Sequence, residues 1–128
     1  MTENESYVDE AMENIKTLMN AKNEKRKPSK IVSTSQIRNL LSMTADIYNQ
    51  VKLSATSELA KDIKDQLQYL KVRIVYDAGR EESVKEFVKT CKILEKLHTV
   101  ETKEDYIQFS RYMEALVAWR KYLCGKDD

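Results

Sequence analysis

At 128 residues the chain is long enough for one domain with a real core and too short for two ordinary ones. Hydrophobic residues make up 41% and charged residues 34%, with only two Gly and one Pro, a balance that favours long helices with few turns and argues against a many-stranded sheet. The 22 Lys and Arg against 21 Asp and Glu leave a net charge of +1, so no bulk field draws the whole protein onto nucleic acid or a membrane, and any polyanion site must be local.

In the first segment Val8, Ala11, Met12, Ile15, Leu18 and Met19 recur every three or four residues and stack on one helical face. Ser6 with Asp9 is the expected cap of its start. Residues 3 to 13 hold five carboxylates and no basic residue, as suits a helix N-terminus. The predicted helix covers residues 1–22. NEKRKPSK, residues 23 to 30, then turns basic and carries the only proline, Pro28, so a basic linker is expected over 23–34 before a helical core over 35–124.

Ser33, three residues ahead of Gln36, has capping-box spacing, and Ile37, Leu40, Leu41, Thr44, Tyr48 and Val51 follow as a second stripe ending near Lys52. SATS, residues 54 to 57, offers hydroxyls to cap a third helix, on which Leu59, Ile63, Leu67, Leu70 and Ile74 share a face. YLKVRIVY, residues 69 to 76, alternates like a strand, but the stripe keeps one helical phase through it and no turn residue intervenes, so it is read as the end of helix three. Tyr69, Val72 and Tyr76 add a second apolar flank there, expected to pack within the bundle or against another subunit. Gly79 is the expected left-handed stop. Val84, Phe87, Val88, Cys91 and Leu94 make a fourth helix; Thr102 with Asp105 caps a fifth, whose Tyr106, Phe109, Met113, Leu116, Val117 and Leu123 precede Gly125. The expected fold is a single all-α domain, a compact five-helix bundle.

Catalytic chemistry finds little support. The one histidine, His98, lies near a helix end with no legible partner, and acidic pairs such as Glu81 with Glu82 are explained by the helix dipole. Cys91 and Cys124 lack metal-ligand spacing, and Cys91 falls on an apolar stripe, so no metal or cofactor is expected. Neither an apolar leader nor a membrane-length apolar run is present, and the expected location is the cytoplasm with no membrane contact. Tyr69, Tyr76, Tyr112 and Trp119 are the candidates for a subunit contact. What remains is a set of basic residues on mostly apolar helices, Arg38, Lys52, Lys71, Arg73, Arg80, Arg111, Arg120 and Lys121. Arg73 and Arg80, seven residues apart, align if the helix persists through Gly79, and Lys71 borders the strip. Arg80 has a rival role, pairing with Glu114, whose position beside Met113 suggests a buried carboxylate that needs a cation.

Three phrases, STSQIRNLL at 33 to 41, YLKVRIVYDAGRE at 69 to 81 and FSRYMEALVAW at 109 to 119, in this order and spacing, resemble the small subunit of the type III-A CRISPR effector, the Csm complex. The resemblance covers residues 33 to 123. It implies a small helical protein without catalytic activity, several copies of which stack into a minor filament beside the backbone subunits that hold the guide RNA. The backbone subunits then cut the target RNA and the large subunit carries the nuclease and cyclic oligoadenylate activities, leaving this chain to supply surface along the target RNA paired with the guide. The basic positions that match the family phrases are Arg38, Lys71 and Arg80; helical geometry adds Arg73 and Lys52. Trp119 departs from the family pattern, where a tyrosine is common. Phosphate contacts of this kind need Lys and Arg but no base-reading set.

Overall fold

A computed structural model of the chain describes residues 3–24 and 31–125, and among these it contains six helices and no strand. They are α1 (Glu3–Glu24), α2 (Thr34–Val51), α3 (Lys61–Arg80), α4 (Glu82–Thr90), α5 (Ile93–His98) and α6 (Lys103–Cys124). The all-α class agrees with the sequence reading, but the expected fourth helix is two. Lys92 adopts left-handed backbone, φ 57° and ψ 40°, and breaks the path between α4 and α5. A helix cannot propagate through that conformation, and Lys gives no compositional sign of it. Half of the expected basic linker, residues 25–30, lies outside the described residues.

Two predicted caps form in full. Ser33 Oγ accepts from the Gln36 amide at 3.1 Å while Gln36 Oε1 accepts from the Ser33 amide at 2.9 Å. Thr102 Oγ1 accepts from the Asp105 amide at 3.1 Å, and Asp105 Oδ2 accepts from the amides of Thr102 and Glu101 at 3.2 and 3.0 Å. Each arrangement satisfies amides that the first turn leaves without carbonyl partners.

Three other boundaries differ. α1 begins at Glu3, so Ser6 lies inside the helix rather than at its cap. The SATS hydroxyls serve their own loop and α6 instead of α3: Ser54 Oγ donates to the Thr56 carbonyl at 3.1 Å, and Ser57 Oγ donates to Glu104 Oε1 at 2.6 Å. That bond holds the Glu104 carboxyl below its usual range. α3 starts after Ala60 with no side-chain cap. It also runs through Gly79, stopping only where Glu81 turns to extended backbone, φ −126° and ψ 119°. Gly79 is therefore a helical residue in the last turn of α3.

α6 is the centre of the bundle, packed by α1 on one side and α2 on another, while α3 lies against α2, α4 and α5. The core is continuous across all six helices: Ile15 of α1, Ile37 and Leu40 of α2, Leu70 and Ile74 of α3, Phe87 of α4, Ile93 of α5 and Met113 and Leu116 of α6 are buried. Polar groups inside it are matched. Tyr106 Oη donates to the Thr44 carbonyl at 2.6 Å, which ties α6 to α2. Tyr112 Oη donates to the Cys91 carbonyl at 2.9 Å and accepts from Asn14 Nδ2 at 2.8 Å, joining α6, the end of α4 and α1. Lys96 sits 4.7 Å from the Tyr112 ring centroid and pairs with Glu10 at 3.0 Å. Among the described residues no buried side-chain nitrogen or oxygen lacks a partner.

Candidate functional site

The basic residues are best located from α3 outward. Ile63, Leu67, Leu70 and Ile74 point into the core, and a helix turns about 100° per residue, so residues two apart face nearly opposite flanks. Lys71 and Arg73 are such a pair. Lys71 lies on the flank toward α5, where with Gln68, Leu97, His98 and Glu101 it lines a groove of about 470 Å³. Arg73 and Arg80 lie on the other flank and converge on Tyr76, with guanidinium carbons 5.8 and 5.7 Å from the ring centroid. The expectation that Lys71 borders the strip of Arg73 and Arg80 is corrected by this geometry: α3 carries one basic patch on each side of an apolar ridge.

That ridge is open to water. Tyr69 is 63% exposed, Val72 59%, Val75 54% and Tyr76 55%, a concentration of apolar surface that the fold itself leaves uncovered. Tyr69 leans toward α2, beside Met43, Asp46, Ile47 and Leu70. On α2, Arg38 is exposed, and Lys52, the residue that caps its C-terminus, is exposed with its ammonium 5.5 Å from the Tyr48 ring centroid. Gln50 fixes the flank of α2 that faces α3 through reciprocal amide bonds to Gln66 at 2.9 and 3.0 Å. Lys52, two residues on, faces elsewhere. Arg38, Lys52, Lys71, Arg73 and Arg80 thus occupy several faces, and among the described residues none of the five is in an ion pair; the pairs present are Lys61 with Asp65 and Lys96 with Glu10.

The subunit-contact candidates separate in the same way. Tyr69 and Tyr76 are exposed. Trp119 is half-buried and meets Tyr122 edge-on at 5.7 Å between ring centroids, with Tyr122 78% exposed. Tyr112 is 2% exposed, so it is a core residue of this fold and offers no surface to a neighbour. Its ring is held there by the bonds to Cys91 and Asn14 described above.

The pairing of Arg80 with a buried Glu114 does not stand, because Glu114 is exposed. Position beside Met113 put it next to the apolar stripe in sequence but about 100° around the helix from it. The buried arginine is Arg120, 6% exposed, whose Nε donates to the Val32 carbonyl at 2.8 Å. Its place between the stripe residues Leu116 and Leu123 was a signal available in the sequence. The convergence on Tyr76 was also legible, as cations three residues before and four after one tyrosine on a single helix.

Cys91 is buried, and burial pushes its thiol up to about 12. Among the described residues no group of His, Cys, Asp and Glu could hold a metal ion, and no helix is long and apolar enough to cross a membrane.

The model of one protein family, Csm2 Type III-A, matches residues 9–126. The chain is 43% identical over 104 residues to a protein of Mycobacterium tuberculosis named CRISPR system Cms protein Csm2, covering 80% of this chain and 84% of that one. A protein of the same name from Streptococcus thermophilus is 41% identical over 123 residues, 96% of this chain and 95% of its own. Another from Enterococcus italicus is 35% identical over 94 residues, 71% and 67% of the two chains.

Proposed function

Because the chain belongs to the Csm2 type III-A family, the small subunit of a type III-A CRISPR effector complex, we propose that it supplies surface rather than catalysis in the cytoplasm. In this reading copies of it stack as a minor filament beside the guide-bearing backbone subunits and near the large subunit, lining and stabilising the target RNA paired with the guide. The observation that carries the reading is a set of cations, the exposed Arg38, Lys52 and Arg80 and the half-buried Lys71 and Arg73, that the fold does not neutralise with ion pairs among the described residues. Folding does not require them there, since a surface charge contributes little to stability. A phosphate backbone does, and it asks only for positive charge along a path. Their spread over several faces suits a subunit stacked in a row, whose RNA passes along a filament instead of through one closed pocket. Tyr69 and Val72 on α3, and Trp119 with Tyr122 on α6, then serve as the apolar contacts with other subunits, including copies of this chain.

The reading is tested in the assembled complex with Arg38→Glu, Lys71→Glu and Arg73→Glu combined. Expected is an intact complex of unchanged subunit content that retains its guide and binds target RNA more weakly, with a salt dependence shallower by about 0.7 for each phosphate the variant no longer neutralises. The weakening is expected to be similar for unrelated target sequences. Equal affinity of wild-type and variant complexes at two salt concentrations contradicts the lining role; absence of this subunit from the variant complex assigns those residues to a protein interface.

A further inference from the structure

Tyr76 is set apart from the other exposed apolar residues of α3 by what surrounds it. Arg73, three residues before, and Arg80, four after, bring guanidinium carbons to 5.8 and 5.7 Å from its ring centroid, while the ring stays 55% exposed. Asp77 and Glu81 are close to them in the chain, yet neither arginine forms an ion pair with these acids. Two like charges held around one ring repel each other, and an exposed cation–π contact offsets only part of that. The arrangement therefore favours an anion beside the ring.

Two kinds of macromolecule fit an exposed aromatic face, and the arginines choose between them. A protein surface covering Tyr76 would desolvate both guanidinia, at a cost that needs matching carboxylates. A nucleotide brings its own match, a flat base for the ring or guanidinium plane and a phosphate for the charge. A base inside a duplex has its faces taken by its stacked neighbours, so the fitting nucleotide is an unpaired one. We propose that Tyr76, flanked by Arg73 and Arg80, is a seat for an unpaired nucleotide of RNA, with the base stacked at the ring and adjoining phosphate held by the two guanidinia. Tyr69, on the same flank but beside Asp46 and Asp65, lacks the cations and is outside this seat. Lys71, on the opposite flank, is outside it as well.

The seat rests on the RNA-lining reading but adds a contact of different chemistry, and stacking separates from charge in the test. Complexes matched for subunit content, carrying Tyr76→Ala, Tyr76→Phe or Arg73→Gln with Arg80→Gln, are compared for affinity to a target RNA that has unpaired nucleotides beside its guide-complementary segment. Tyr76→Ala is expected to weaken binding about tenfold with an unchanged salt dependence, and Tyr76→Phe to keep most of the affinity, because stacking needs the ring and not the hydroxyl. The double Gln variant is expected to weaken binding and to lower the salt slope by about 0.7 per seat engaged, one phosphate being released from each. Wild-type affinity in Tyr76→Ala, while the Arg38, Lys71 and Arg73 reversals still weaken binding, overturns the seat and leaves the lining role standing. Wild-type affinity in both sets overturns both. Absence of the subunit from the Tyr76→Ala complex overturns the seat by placing the ring in a protein interface.

Discussion

Arg80 and Arg120 carry the same group on helices of the same bundle, and the surroundings give them opposite work. Arg120 is buried, with Nε bonded to the Val32 carbonyl at 2.8 Å, so its guanidinium fastens the segment before α2 to the end of α6. Arg120→Met keeps the apolar stem and removes that donor; it is expected to lower unfolding stability by about 2 kcal/mol, since a bond from a charged group disappears and a carbonyl is left to compensate. Arg80 is exposed, and Arg80→Ala is expected to cost no more than about 0.5 kcal/mol in the same denaturant titration. An equal destabilisation in the two variants would contradict the assignment. Cys91 gives a second residue-level expectation. Burial keeps its thiol protonated up to about 12, whereas an unfolded thiol ionises near about 8.5. The folded state holds that proton more tightly, so the associated stability is present below the unfolded value and is lost as pH rises from there toward the folded one. Native protein at about pH 8 is expected to alkylate at Cys124 and not at Cys91, with both reacting in denaturant, and the fall in stability above about pH 8.5 is expected to be shallower in Cys91→Ala.

At the scale of the helices, the elements whose signals are local were readable and those set by backbone conformation were not. The capping boxes at Ser33 and Thr102 require only a hydroxyl and an acid or amide three residues on, and both formed. Phase likewise decided YLKVRIVY, because Leu67, Leu70 and Ile74 share one buried face that a strand would split. Gly79 and Lys92 went the other way. Gly permits a left-handed stop without demanding it, and here α3 continues through it. A Cβ added at Gly79 meets nothing within 4 Å, so Gly79→Ala is expected to stabilise the protein by about 0.5 kcal/mol through helix propensity in the last turn and a less flexible unfolded chain. Lys92 takes the left-handed turn instead, at φ 57°, and Lys92→Gly is expected to stabilise or be neutral where Lys92→Val destabilises by at least about 1 kcal/mol. Thermal melts of the three variants check both; a destabilising Gly79→Ala would restore Gly79 as a stop.

For the molecule as a whole, composition and phase were enough for the all-helical class, because 34% charged residues with two Gly and one Pro leave few other ways to bury the apolar stripes. Charge and aromatic type alone could not sort the surface. Tyr112 and Tyr76 look alike in sequence, but one is 2% and the other 55% exposed, a difference made by which neighbouring helix covers each. Likewise Lys71 and Arg73 are near neighbours in the chain that α3 turns to opposite flanks. The central claim, that this subunit lines the target RNA, is tested most directly by photocrosslinking the assembled, guide-loaded complex to target RNA and mapping the crosslinked residues. Crosslinks are expected in the peptides that carry Arg38 and residues 71–80, diminishing as salt rises; crosslinks confined to other subunits, with this one untouched at low salt, would contradict the claim.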